Sequence, residues 1–104
     1  MYLVAIAPQV WEAIDDAERF TLQRFGPRKL AEYKELIDQA ILDIRTDPTV
    51  GRVGTIDGFP GVFKHPIRKP GRNARHVFLY EIVGDDTVHI LRFLHDARDF
   101  KRHL

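Results

Sequence analysis

Two β-rich runs around one tight turn constrain this 104-residue chain more than any other stretch. Arg75-His76-Val77-Phe78-Leu79-Tyr80-Glu81-Ile82-Val83 leads into Gly84-Asp85-Asp86, and Thr87-Val88-His89-Ile90-Leu91-Arg92-Phe93-Leu94-His95 leads out. β-branched and aromatic side chains suit a pleated, half-buried surface, and Gly with Asp supplies the positive φ that a short hairpin turn needs. The inner positions are apolar on both faces: Val77, Phe78 and Leu79 on one run, Ile90 and Leu91 on the other. A strand with one wet face alternates apolar and polar residues, whereas a strand covered on both sides does not. The hairpin is therefore expected in the middle of a sheet. Its ends carry cations and imidazoles, namely Arg75, His76, Arg92, His95 and Arg98, which makes them a candidate functional surface.

The rest of the chain must supply what covers that hairpin. Residues 2–7 are apolar and β-compatible, and they end at Pro8, a residue suited to the first turn of a helix. From Val10 onward Val10, Trp11, Ile14, Ala17, Leu22 and Phe25 fall largely on three- and four-residue steps. That spacing predicts an amphipathic helix, with Trp11 and Phe20 read as core. Gly26-Pro27 closes it and opens a second helix from Pro27 to Thr46, striped by Leu30, Tyr33, Ile37, Ala40, Ile41 and Ile44. Asp47-Pro48 stops that helix, because the residue before a proline is pushed out of the helical region. Residues 47–61 hold four Gly and two Pro and are read as a loop. A strand follows over residues 62–68, in which Pro66 requires a free side or a bulge because it cannot donate to a ladder. Asp96 is a candidate cap for a short final helix containing Phe100 and Leu104. The predicted order is β-α-α-β-β-β, an α+β fold in which the N-terminal strand joins a largely antiparallel sheet and a helical hairpin packs on one of its faces. A chain of this length makes a single domain, residues 1–104, able to bury roughly two-thirds of its unfolded surface.

Charge is unevenly spread. Residues 1–50 hold six Lys/Arg against nine Asp/Glu, and residues 51–104 hold ten against six. All five histidines lie in the second half, and from Lys64 to His76 there are five Lys/Arg and two His with no carboxylate. Such a run is most simply a solvated turn, or else a patch for an anionic partner. Without cysteine there is neither a disulfide framework nor a thiolate metal site, and the histidine spacings do not suggest a zinc site. No cofactor is expected. The start of the chain lacks the basic flank of a signal peptide, and no apolar run approaches the roughly 20 residues needed to span a bilayer. These features predict a cytoplasmic protein that does not enter a membrane.

The order of elements, Asp47-Pro48 followed by Gly51, the run Arg75-His76-Val77-Phe78-Leu79-Tyr80 and the ending Ile90-Leu91-Arg92-Phe93-Leu94-His95-Asp96-Ala97-Arg98-Asp99 together resemble the ParE/RelE superfamily of toxins from bacterial toxin–antitoxin modules. The resemblance covers nearly the whole chain, and the ending is more typical of the ParE branch. That branch implies inhibition of DNA gyrase and growth arrest, with neutralisation by a cognate antitoxin that wraps a segment over the toxin. The hetero-oligomer then meets DNA only through the antitoxin. The RelE branch implies ribosome-dependent cleavage of mRNA, which needs a base, an acid and cations for the pentavalent phosphate. If the chain were RelE-like, Lys64, Arg75, His76 and Arg98 would form the catalytic set and converge on one concave face. RelE-like toxins usually carry an Arg three residues before the strand Tyr that Tyr80 matches, together with a C-terminal Tyr or His. Here the first position is Val77, and the C-terminal Tyr is absent from Phe100-Lys101-Arg102-His103-Leu104. The resemblance therefore favours a gyrase-directed toxin that is not an enzyme, with Arg75, His76, Tyr80, Arg92, His95 and Arg98 as contact residues for target or antitoxin. A non-toxic partner-binding protein of the same fold is the third reading.

Overall fold

The structure is a computed structural model that describes residues 1–49, 55–56, 59–71 and 75–95. The chain opens with strand β1 (Leu3–Ile6), then helices α1 (Pro8–Phe25) and α2 (Pro27–Thr46). Four more strands follow: β2 (Thr55–Ile56), β3 (Phe59–Ile67), β4 (His76–Val83) and β5 (Thr87–Leu94). The bounds of both helices agree with the sequence signals. Pro8 and Pro27 each occupy a first helical turn, where the missing N–H has no partner to lose. Gly26 stands between the helices at φ 88°, a conformation a side chain would resist. Asp47, the residue before Pro48, is extended as expected.

The strands form one sheet in the order β1-β5-β4-β3-β2. β4 and β5 are its central strands, flanked by β3 and β1, as their unbroken apolar runs required. Every pair is antiparallel except β1 with β5, which is parallel because the helical hairpin returns the chain to the far side of the sheet. Gly84, at φ 66°, lies in the turn between β4 and β5. The register slips by one residue beyond Leu79, so that Leu79 faces Arg92 and Tyr80 faces Ile90. Leu91 is thus the extra residue of a bulge, which re-aims the end of β5.

Two expectations need correction. The region read wholly as a loop contains β2 and the first residues of β3, which begins at Phe59 and not at Val62. A two-residue strand that includes one β-branched pair carries no period to detect. β2 pairs with β3 only between Phe59 and Phe63, so Pro66 has no neighbour on that side among the described residues, as its missing N–H demands. The second correction concerns Trp11 and Phe20, read as core. They are 50% and 53% exposed, and Leu22 and Phe25 are also exposed. Val10, Ile14 and Thr21 are the buried positions of α1, a narrower stripe than the apolar residues of the helix suggested. The proposed cap at Asp96 and the terminal segment lie outside the described residues.

The core lies between the hairpin and one face of the sheet. Val10, Ile14, Ile37, Ala40 and Ile44 from the helices meet Phe78, Tyr80, Val88, Ile90 and Phe93 from the sheet. On the opposite face a smaller cluster joins Val77, Leu79 and Leu94, with Val62 packed against it. Burial of large side chains in both clusters contributes roughly 1.5–3 kcal/mol each relative to exposure.

Candidate functional site

Antiparallel pairing gathers residues that are distant in sequence. Val77 faces Leu94, which sets His76 at the start of β4 beside His95 just beyond β5. Their rings meet edge to face, centroids 5.0 Å apart. The pair was not visible in the histidine spacings, because register and not sequence separation creates it. The His76 ring also stacks on Phe93, with centroids 4.6 Å apart and planes 12° apart. From the helical side the Tyr33 hydroxyl hydrogen-bonds Nδ1 of His76. Phe93 and Tyr33 therefore hold the imidazole from two directions.

This cluster forms the floor of a cleft of about 450 Å³ between α1 and the sheet. Ala13, Ala17, Phe20 and Phe93 supply apolar walls, and Arg75 and His95 stand at its mouth. A second hollow of about 340 Å³ shares Thr21, Tyr33 and Arg75 with it and runs on past Phe25 to Lys69. The Arg75 guanidinium lies 5.5 Å from the centre of the Phe25 ring, a cation–π contact. The exposed aromatics of α1 thus have a position: Phe20 walls the cleft and Phe25 lies under Arg75.

Burial lowers the pKa of His76 to about 4, and the neighbouring His95 and Arg75 act in the same direction. His76 is therefore neutral at pH 7. Burial also drives the Tyr33 pKa well above the ordinary tyrosine value, with Arg75 opposing and Glu18 reinforcing the rise. Tyr33 keeps its proton, so the two groups form a neutral hydrogen-bonded pair. A neutral, deeply held imidazole is oriented for contact and is disfavoured as a cationic acid. Proton transfer near pH 7 would need a group that titrates there.

The remaining predicted residues do not converge here. Arg92 is half-buried on the sheet face away from the helices, opposite Leu79, and donates to the Leu91 carbonyl at 2.7 Å. Lys64 pairs with the other side of Leu79 on that same face. It is separated from His76 by the thickness of the sheet, so the set Lys64, Arg75, His76 and Arg98 does not assemble among the described residues. Arg98 lies outside them. Tyr80, included among the contact residues, is only 1% exposed. Its hydroxyl donates to the Pro48 carbonyl at 2.6 Å and its ring stacks on Phe63. It pins the end of α2 to the sheet and is closed to any partner. Tyr33 was read only as a helix-stripe residue, yet it both packs and lines the cleft. Its helical spacing announces burial but cannot report that its hydroxyl reaches a histidine 43 residues away.

No three or more His, Asp or Glu side chains come together as a metal site would require among the described residues. Among the described residues no helix is long and apolar enough to cross a membrane.

The model of a protein family described as ParE toxin of type II toxin-antitoxin system, parDE, matches residues 4–100. This chain belongs to the ParE toxin family. No individual curated protein matches it. The ParE match runs from within β1 to beyond β5, so the cleft and the hairpin that builds it both lie within the family's domain. Membership also gives the chain its class, the toxin of a type II toxin–antitoxin system, and implies an antitoxin partner.

Proposed function

We propose that this ParE-family toxin acts by binding and inhibiting DNA gyrase, has no catalytic activity of its own, and is held inactive in a hetero-oligomer with a cognate antitoxin. That target would place its action in the cytoplasm. The observation that carries the reading against a ribonuclease is the position of the groups an RNA-cleaving site would use. Val77, where the nuclease branch usually has an Arg, is 4% exposed in an apolar cluster. Tyr80 is buried on a backbone carbonyl, and Lys64 lies across the sheet from His76. A pentavalent phosphate needs cations and a proton donor on one open surface, and those residues are not on one.

One arrangement favours the competing reading: Arg75, His76 and His95 share the mouth and floor of the cleft. The low pKa of His76 weakens it as the acid of such a site.

The test is gyrase supercoiling with the purified protein freed of antitoxin. The expected result is inhibition with accumulation of cleaved plasmid, reversed by the antitoxin. A folded, growth-arresting protein that leaves gyrase untouched and cuts ribosome-bound mRNA would replace the reading with the nuclease one. Normal growth with abundant folded protein would remove both and leave the non-toxic partner-binding role.

A further inference from the structure

We propose that the outer edge of β1 pairs with the same edge of a second copy of this chain, antiparallel about a two-fold axis at Ala5, joining two five-stranded sheets into one. The inference goes beyond the toxin's target and does not rest on it.

The edge is built so that one register satisfies it. β1 ends the sheet, and its one neighbouring strand among the described residues is β5. The Leu3 N–H donates to the Asp86 carbonyl at 2.7 Å and the Ala7 N–H to that of Ile90 at 3.2 Å, so the odd residues face β5. Val4 and Ile6 therefore aim their N–H and C=O groups outward, while their side chains pack on the core. The edge is closed on either side of them. The Tyr2 N–H donates to the Arg45 carbonyl at 2.9 Å, and Arg45 Nε donates to the Tyr2 carbonyl at 3.3 Å. Pro8 has no N–H and opens α1. An antiparallel mate with Val4 set against the copy's Ile6, and Ile6 against its Val4, uses every outward group. A register centred on Val4 would oppose Ile6 to the occupied Tyr2, and one centred on Ile6 would oppose Val4 to Pro8. The register that remains puts Ala5 on the two-fold axis, with its Cβ about 4.5–5.5 Å from that of its copy.

Three further observations favour a second copy as the occupant. Ala5 is exposed on the sheet face away from the helices, and its small side chain leaves the axis free of clash. Leu3, 62% exposed on that face, lies diagonal to the copy's Ala5 in this register, so pairing shields an apolar residue that one chain alone leaves wet. Next, little repels two copies. The net charge is only +1, and residues 1–11 contain no Lys, Arg, Asp, Glu or His. The nearest charges, Arg45 bonded to Tyr2 and Asp86 bonded to Leu3, stand at one end of the strand, and an antiparallel copy carries its own at the other end. Finally, the two edges of the sheet are treated differently. At the far edge β2 has only two residues and β3 carries Lys64 and Pro66, devices that discourage pairing between chains, whereas β1 has no charge, no proline and no bulge.

The experiment is sedimentation of the isotope-labelled full chain, freed of antitoxin, with amide spectra from about 10 µM to about 1 mM, the range in which an interface below standard size associates. The expected result is a monomer–dimer equilibrium, with shifts at Val4, Ala5 and Ile6 that grow with concentration. The Val4 and Ile6 amides should exchange several-fold more slowly in the dimer, while Leu3 and Ala7, bonded within each chain, stay as they were. Ala5→Lys and Ala5→Glu, changes at an exposed position whose amide spectra report folding directly, should each weaken association about tenfold by setting like charges across the axis. Mixed together, the two variants should restore it. A chain that stays monomeric across that range would overturn the proposal. So would a dimer in which Val4 and Ile6 exchange freely, variants that associate as the parent does, or a mixture that fails to recover. If Val4 and Ile6 are slowed only by added antitoxin, without self-association, the edge belongs to another chain's strand and the proposal fails. Should a variant not fold, exchange at Val4 and Ile6 of the parent chain still decides. None of these readouts involves gyrase, so failure of the target reading and failure of the β1 pairing are separable.

Discussion

Two tyrosines of this toxin make similar hydrogen bonds and serve opposite ends. Tyr80 is buried between β3 and the end of α2, and its hydroxyl donates to the Pro48 carbonyl. Tyr33 is 9% exposed and bonds His76, but its partner borders an open cleft with Arg75 and His95 at the rim. One hydroxyl is sealed among apolar neighbours and closes a loop onto the core. The other orients a ring where solvent and a ligand can reach. Residue type and burial are nearly the same, so what distinguishes a structural from a functional tyrosine is what lies on the far side of its partner.

That contrast can be broken or sharpened by experiment. The largest effect is expected from Tyr80→Ala, which removes a fully buried ring stacked on Phe63 and should cost about 3–5 kcal/mol in urea unfolding. The cleft should instead reveal itself through pH. The folded pKa of His76 lies near 4, below the ordinary 6.5, so the unfolded chain binds the extra proton. The stability from His76 is complete above pH 6.5 and is lost as pH falls towards 4, by about 2 kcal/mol once partial solvent screening is allowed for. Comparing wild type with His76→Gln at pH 7 and pH 4.5 isolates this loss, and an imidazole that titrates near 6.5 by NMR would contradict it.

Deleting the hydroxyls alone gives a finer comparison. Tyr80→Phe leaves the Pro48 carbonyl without its buried donor and should cost about 1–3 kcal/mol. Tyr33→Phe should cost roughly 0.5 kcal/mol, because water in the cleft can bond the freed His76 nitrogen. Equal losses would mean that the cleft is as dry as the core. The smallest change in stability, within about 0.5 kcal/mol, is expected from Arg75→Ala at the exposed rim, a substitution whose effect should appear in partner binding.

Much of the fold was legible. Pro8, Gly26-Pro27 and Asp47-Pro48 mark the helix ends because proline and glycine restrict or free the backbone whatever surrounds them. The central place of β4 and β5 followed from apolar runs without alternation. β2 was not legible, since two residues carry no period. Neither was the exposure of Trp11 and Phe20: an aromatic on a helix records that it can be buried, and whether it is depends on how far the sheet extends beneath it. Of the site, Arg75, His76 and His95 stood out as a guanidinium and two imidazoles at strand ends. Tyr33, Thr21 and Phe93 did not, because nothing local separates them from core residues.

Local backbone chemistry and hydrophobic period are carried by neighbouring residues, so the sequence by itself determined the helices, the central hairpin, the resemblance to a toxin family and the asymmetry of charge. Only the tertiary structure decided which charges meet. The register that sets Val77 against Leu94 brings His76 to His95, and the packing of α2 on the sheet brings Tyr33 to His76. It also turned Lys64 and Arg92 to the other face and sealed Tyr80 inside. Side chains two residues apart on a strand share a face and those one apart do not, so a single step of register, such as the bulge at Leu91, decides which groups form a site.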